Sequence, residues 1–281
     1  MRLRDYESGS TAPGESTRFG SKAKIAALGL FLVLLLTAGI SLFVKSESGA
    51  VPTDRVTLCP TKRTPSEILV ILLDVSDQFS EPQRLQIQNH LGRIRDSIPR
   101  FGLVEVYTLD RLGRRVTENT THMCNPGAGD DLSQIYQNPA LARKKWQGFA
   151  AKLTADIDRQ IRAPRLPTSP IFEAIQATAL RTFGKPEYDG LPKHLVIVSD
   201  LMQNVPDGLS MYNDVPSFEK FKNTSYFSRV RGDLKGVSVL IYYLVRSSAP
   251  KQNPEHLGFW RDYFRFEGAT VESVDKVFGD K

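Results

Sequence analysis

Three short stretches carry carboxylates and hydroxyls in a pattern that can do chemistry: Asp74-Val75-Ser76-Asp77-Gln78, Thr168-Ser169-Pro170 and Ser199-Asp200. Oxygen donors of this kind suit a hard divalent cation. Mg²⁺ demands near-octahedral oxygen ligation, sheds water reluctantly and binds through few carboxylates. Mn²⁺ shares the preference for carboxylate and water oxygens. One direct carboxylate, helped by hydroxyls, holds such an ion without neutralising it, which leaves positive charge for a carboxylate brought by a partner.

Two of these stretches end long apolar runs. Ile68 to Leu73 (ILVILL) leads into Asp74, and His194 to Ser199 (HLVIVS) leads into Asp200. Both are too uniformly apolar for half-exposed strands and suit parallel strands buried on both faces. Val237 to Val245 (VSVLIYYLV) reads as a third such strand. Leu103 to Leu109 alternates as a strand, with Arg114 to Thr121 pairing with it in a hairpin around Leu112-Gly113, and Thr270 to Val277 reads as the last strand. Helical periods fill the gaps: Pro82 to Ile98, Asp131 to Ile161 with a break near Asn138-Pro139, Pro170 to Phe183, and Pro254 to Phe266. Strands alternating with helices predict an α/β fold, a Rossmann-like, doubly wound, mostly parallel sheet. Ligands bind at the carboxyl ends of the strands in such sheets, where Asp74 and Asp200 are expected.

The ordered set resembles the metal-ion-dependent adhesion site of von Willebrand factor A (vWA) domains over roughly residues 66–278. The family's first loop reads Asp-x-Ser-x-Ser, its second supplies a Thr and its third an Asp. Asp74 and Ser76 match the first loop, and Gln78 replaces its second Ser. Ser169 stands for the Thr, because Ser-Pro-Ile-Phe-Glu-Ala174 reproduces the family's spacing better than a count from Thr168. Asp200 matches the third loop. The resemblance implies Mg²⁺ or Mn²⁺ held by Asp74, Ser76, Gln78, Ser169 and Asp200, with Asp77 as an extra acceptor, and a protein partner that contributes an acidic residue. Gln78 departs from the pattern, since it must place an amide oxygen on a longer arm where a Ser would sit. The competing expectation is a Rossmann-like domain that kept the loop geometry without the metal.

Other chemistry fits less well. Asp74 after an apolar strand is similar to the nucleophile of haloacid dehalogenases, but that reaction needs a second Asp two residues on, where Ser76 stands. His90, His122, His194 and His256 lack metal-ligand spacing. No Gly-rich phosphate loop follows the first strand. Trp146, Trp260, Tyr263 and Phe264 sit at helical spacings and read as core. No enzyme is expected.

Residues 25–44 (IAALGLFLVLLLTAGISLFV) form an uncharged run, and about 20 helical residues span the roughly 30 Å of bilayer hydrocarbon. Lys22 and Lys24 bracket one end and Lys45 the other, where their stems can snorkel. The run is expected to be a single transmembrane helix. A signal peptide cut near Ser48-Gly49-Ala50 is the rival, against which stand the length of the run and of the preceding tail. Residues 1–24 are polar and expected to be a disordered cytoplasmic tail, 45–66 a stalk, and 67–281 the vWA-like domain.

Basic residues flank both ends, with the balance leaning to a cytoplasmic N-terminus and an extracytoplasmic (periplasmic or extracellular) domain. Cys59 and Cys124 both follow the span, and an even pair in one compartment predicts a disulfide, with two reduced thiols as the alternative. Asn119 and Asn223 head glycosylation sequons that matter only in a eukaryotic source. The net charge of +6 is scattered rather than striped, so no nucleic-acid partner is expected. The function expected from these residues is a membrane-tethered protein-binding or assembly module.

Overall fold

The computed structural model describes residues 29–41, 51–109, 118–129, 138–162, 167–246, 249 and 251–279. It divides into two compact units, 1–50 and 51–281. In the first, residues 29–41 form an exposed helix, α1. The remainder of the expected span 25–44, the tail 1–24 and residues 45–50 of the stalk lie outside the described residues. Among the described residues no helix is long and apolar enough to cross a membrane.

The second unit is a mixed α/β domain around one six-stranded sheet. Its strands are β1 (Ile68–Leu73), β2 (Leu103–Thr108), β3 (Glu118–Cys124), β4 (Lys193–Ser199), β5 (Val237–Leu244) and β6 (Thr270–Val277), in the spatial order β3-β2-β1-β4-β5-β6. All neighbouring pairs are parallel except β2 with β3. This is the doubly wound order, with the topological switch between β1 and β4. The expected pairing appears as the antiparallel β2–β3 pair, with β3 at Glu118–Cys124 where the sequence placed the strand over 114–121; residues 110–117, including the expected turn, lie outside the described set.

Successive side chains of each strand point to opposite faces, and each face is sealed by its own helices. Ile68, Val70 and Leu72 of β1, with Leu195 and Ile197 of β4, belong to one core cluster. There they pack with residues of α4 (Ile171–Thr178), α5 (Phe218–Phe221), α6 (Ser225–Val230) and α7 (Pro254–Phe266). Leu69, Ile71 and Leu73, with Val196 and Val198, belong to the other, shared with α2 (Glu81–Ser97) and α3 (Pro139–Ile161). Phe172 anchors the first cluster, its ring 4.6 Å from Trp260, 4.9 Å from Phe221 and 5.0 Å from Tyr263. Trp260, Tyr263 and Phe264 are buried as expected of core. The short helices α5 and α6 fell below what sequence periodicity can detect.

Local signals set the helix starts. Ser80 caps α2 in a reciprocal box with Gln83, and Pro82 lies in its first turn. Asn138 caps α3, which begins at Pro139, where the sequence placed a break; residues 131–137 lie outside the described set. The helix expected over 170–183 is α only to Thr178 and widens into a π-turn over Ala179–Phe183.

The β2 strand corrects the expected alternation, because all six of its residues are buried, Glu105 included. Its carboxylate accepts hydrogen bonds from the His122 ring at 2.7 Å, from Tyr107 at 3.3 Å and from the hydroxyl of Thr182, which the π-turn carries. Burial pushes Glu105 upward, yet the His122 and Thr182 hydrogen bonds and the charges of His122 and Lys185 outweigh it and hold the group below its ordinary range.

Residues 51–66 enter at the amino ends of the strands. Cys124 donates its backbone N–H to Thr57 at 2.8 Å and pairs in register with Leu103, the first residue of β2. Cys59 and Cys124 form a disulfide across 65 residues of chain. Closing a loop of that length removes about 4 kcal/mol of unfolded-state freedom in the chain-entropy model. The double substitution Cys59→Ser/Cys124→Ser is expected to lower unfolding stability by about 4 kcal/mol in urea titration. A loss under about 1 kcal/mol would show that the bridge constrains little.

Candidate functional site

Parallel register brings the aspartates together. Leu73 lies opposite Val198, and the Asp74 N–H donates to the Val198 carbonyl at 2.9 Å, so Asp74 and the Ser199-Asp200 pair leave adjacent strands at the same rim. This rim is the carboxyl end of the strands, opposite the entry of residues 51–66. The Asp74 side chain is buried. An ionised group taken from water must find partners, and Asp74 finds three. One oxygen accepts from the Ser76 N–H at 2.9 Å; the other accepts from the Ser169 hydroxyl at 3.1 Å and the Ser199 hydroxyl at 2.7 Å. Ser169 is buried and Thr168 partly exposed.

Asp200 is less well supplied. One oxygen accepts from the Met202 N–H at 2.9 Å, while Oδ2 is buried with no hydrogen-bond partner among the described residues. Burial first, then the Asp74 charge, pushes this carboxyl up to about 7, against the pull of the Met202 N–H and the Arg246 guanidinium. Two buried carboxylates at one rim, one with an oxygen that lacks a hydrogen bond, disfavour each other's charged form.

The loops are held by groups that sequence reasoning did not single out. Leu201 follows Asp200 in the left-handed region, at φ 57°, an uncommon conformation for a non-glycine residue. Its N–H donates to the Ser199 hydroxyl at 2.7 Å, and its carbonyl accepts from Trp260 Nε1 at 3.0 Å and lies 3.0 Å from His256 Nε2. Gln203 Oε1 accepts from the Ile171 and Phe172 N–H groups at 2.7 and 3.1 Å, which caps α4 where Pro170 cannot. Ser169 and Asn204 exchange backbone hydrogen bonds at 2.9 and 3.0 Å, sewing the second loop to the third.

Two further side chains flank the carboxylates. Tyr212, 40% exposed, donates to Asp77 at 3.3 Å, and burial, Asp200, Asp77 and Asp74 all push its phenol upward. Arg246, at the end of β5, lies 3.6 Å from Asp200 Oδ2. It also donates to the Gln78 carbonyl at 2.6 Å and to Gln83 Oε1 at 3.1 Å. Gln78 itself is exposed, and its described contact is that backbone carbonyl rather than its side-chain amide.

The structure therefore brings Asp74, Ser76, Ser169 and Asp200 to one rim and adds Ser199, Arg246 and Tyr212. Ser199 was visible in the sequence as the residue before Asp200. Arg246 and Tyr212 carried no local signal. No group of three or more His, Cys, Asp and Glu side chains able to hold a metal occurs among the described residues. An ion here would depend on hydroxyls beside the two aspartates.

The fold and rim define a doubly wound α/β domain with a carboxylate-and-hydroxyl site at its switch point. No family model and no curated protein matches the chain. Solved structures similar to it include BatB, a conserved hypothetical protein of Bacteroides thetaiotaomicron, at 11% identity over 76% of this chain and 91% of that one, with a TM-score of 0.37. Another is the SpRpn10 VWA domain, at 12% identity, 75% and 87% coverage and a TM-score of 0.38. A third is proximal thread matrix protein 1 of the mussel byssus with a zinc-occupied MIDAS motif, at 13% identity, 77% and 44% coverage and a TM-score of 0.34. At these values the likenesses assign no function.

Ser199 bridges the Asp74 carboxylate and the strained Leu201 turn. Hydrogen bonds to charged groups contribute about 1.5–3 kcal/mol each. The Ser199→Ala protein is expected to lose about 2 kcal/mol of unfolding stability, read by chemical denaturation. A loss below about 0.5 kcal/mol would mean that the hydroxyl does not support the buried carboxylate.

Proposed function

We propose that the chain is a membrane-anchored, vWA-like binding or assembly module. Its strand-end rim recognises an acidic residue of a protein partner through Mg²⁺ or Mn²⁺. Asp74, Ser76, Ser169 and Asp200 would hold the ion, with Gln78 at the margin. With only one of the two carboxylates bound to it directly, the ion would keep residual positive charge for the partner's carboxylate. The protein's own residues do the rest: Ser169 and Ser199 orient Asp74, the Leu201 turn aims Asp200, and Tyr212 offers an exposed aromatic surface beside the carboxylates. No bond is made or broken in the partner, and the module is not an enzyme.

The observation that carries this reading is the buried pairing of Asp74 with Asp200, whose Oδ2 lacks a hydrogen bond and whose carboxyl is pushed up to about 7. A divalent ion relieves both deficits. A metal-free scaffold is the second reading, and Arg246 favours it, since the guanidinium already faces Asp200.

In this proposal residues 25–44 anchor the chain and its N-terminus stays in the cytoplasm. The uncharged run and the helix over 29–41 support an anchor, and the Cys59–Cys124 bridge supports an oxidising compartment for the domain. The rim lies at the end of the sheet opposite the entry of residues 51–66.

Saturating Mg²⁺ or Mn²⁺ is expected to raise the melting temperature of the purified protein by several degrees, since ligand at a hundred times Kd adds about 2.7 kcal/mol. Asp74→Ala should abolish the rise. No rise in the unsubstituted protein would favour the metal-free scaffold. Deleting residues 25–44 should release the protein from alkaline-washed membranes; retention without them would overturn the anchor.

A further inference from the structure

We infer that Arg246 is the resident counter-cation of the rim, a charged side chain that occupies Asp200 until a metal ion displaces it and thereby sets how tightly the site takes divalent cations. This rests on the metal-binding reading above and adds to it a residue that opposes the ion.

Arg246 leaves the carboxyl end of β5, beside β4, and its side chain is only 11% exposed. Its Nη1 donates to the Gln78 carbonyl at 2.6 Å and to Gln83 Oε1 at 3.1 Å, and its guanidinium carbon lies 5.7 Å from the Phe79 ring centre. Those contacts fix the fork in place. Its Nε then faces Asp200 Oδ2 at 3.6 Å, too far for a good hydrogen bond, and both atoms are buried without one. The pair is held by charge alone. Paired guanidinium and carboxylate groups left in a dry site without direct hydrogen bonds recover only part of what they lost on leaving water. Such a contact gives way to a better one.

A divalent ion placed on Asp200 would compete for the same oxygen, and it would meet a positive charge close by with little water between to screen it. Arg246 therefore weakens cation binding while keeping the apo rim compact. The fork also joins three elements: the first loop through Gln78, the start of α2 through Gln83, and β5 itself. Gln83 closes the Ser80 capping box and donates to the Val245 and Val277 carbonyls at 3.1 and 3.4 Å. Displacing the guanidinium releases the Gln78 carbonyl, so ion binding is coupled to the first loop, the same loop that supplies Asp74 and Ser76.

Isothermal titration of the full-length protein with Mg²⁺ and with Mn²⁺ tests this. Arg246→Gln removes the charge and keeps hydrogen-bonding capacity, and it should bind each ion about tenfold more tightly than the unsubstituted protein. Arg246→Lys keeps the charge but cannot reach the Gln78 carbonyl and Asp200 together, so its affinity should fall between the two; it carries the test alone if the Gln variant does not fold. Binding in Arg246→Gln and none in the unsubstituted protein would show that Arg246 blocks the site instead of yielding to an ion, and would overturn both the displacement and the metal-binding reading of the native chain. Equal or weaker binding in the variants, with binding in the unsubstituted protein, would overturn the role of Arg246 and leave the metal reading standing. No binding in any of the proteins would overturn both.

Discussion

The carboxylate of Asp74 sits at the end of a strand whose every residue is buried, and the rim is organised by the need to satisfy it. Burying a carboxylate away from water is costly unless hydrogen bonds replace those it loses. Here the partners come from three separate loops: Ser76 in its own, Ser169 before α4 and Ser199 at the end of β4. Because each donates to the same side chain, none of the loops can shift without leaving Asp74 short of a hydrogen bond. The binding geometry is thus a by-product of the electrostatic constraint that lets β1 end where it does.

The same constraint links the rim to the core. Trp260 and His256 both lie in α7 and both meet the carbonyl of Leu201, and the Trp260 ring stacks on Phe172 in the core. Burial holds the His256 ring below its ordinary range, against the Leu201 hydrogen bond, and so favours its neutral form. The strained Leu201 backbone is held by these contacts. The turn that aims Asp200 is in this sense an extension of the hydrophobic core.

Glu105 and Asp200 show how partners decide what burial does to an acid. Both side chains are inaccessible to solvent. Glu105 receives a ring nitrogen and hydroxyls, and its pKa falls below the ordinary value despite desolvation. Asp200 has one backbone N–H, an incompletely engaged guanidinium and a second carboxylate nearby, and it rises to about 7. One carboxylate is satisfied by structure, and the other is left with capacity for a cation.

The sequence by itself determined the strands β1, β4 and β5, because a strand buried on both faces must be apolar at every position and such runs are unmistakable. It also determined the order of the three loops and the helices that Pro82 and Pro254 open, and it offered one pairing for the two cysteines while leaving two reduced thiols as the alternative. It could not place Arg246 or Tyr212, which come from the end of β5 and a long irregular loop and meet the carboxylates only across the folded rim. Nor could it show that Glu105 is inside, since an alternating strand on an edge and one sealed by a π-turn read alike. Periodicity is a local property, carried by residues a few positions apart. The balance of charge around Asp200 depends on side chains 46 to 126 residues away, taking the separations to Arg246 and Asp74, and only the packed sheet brings those together.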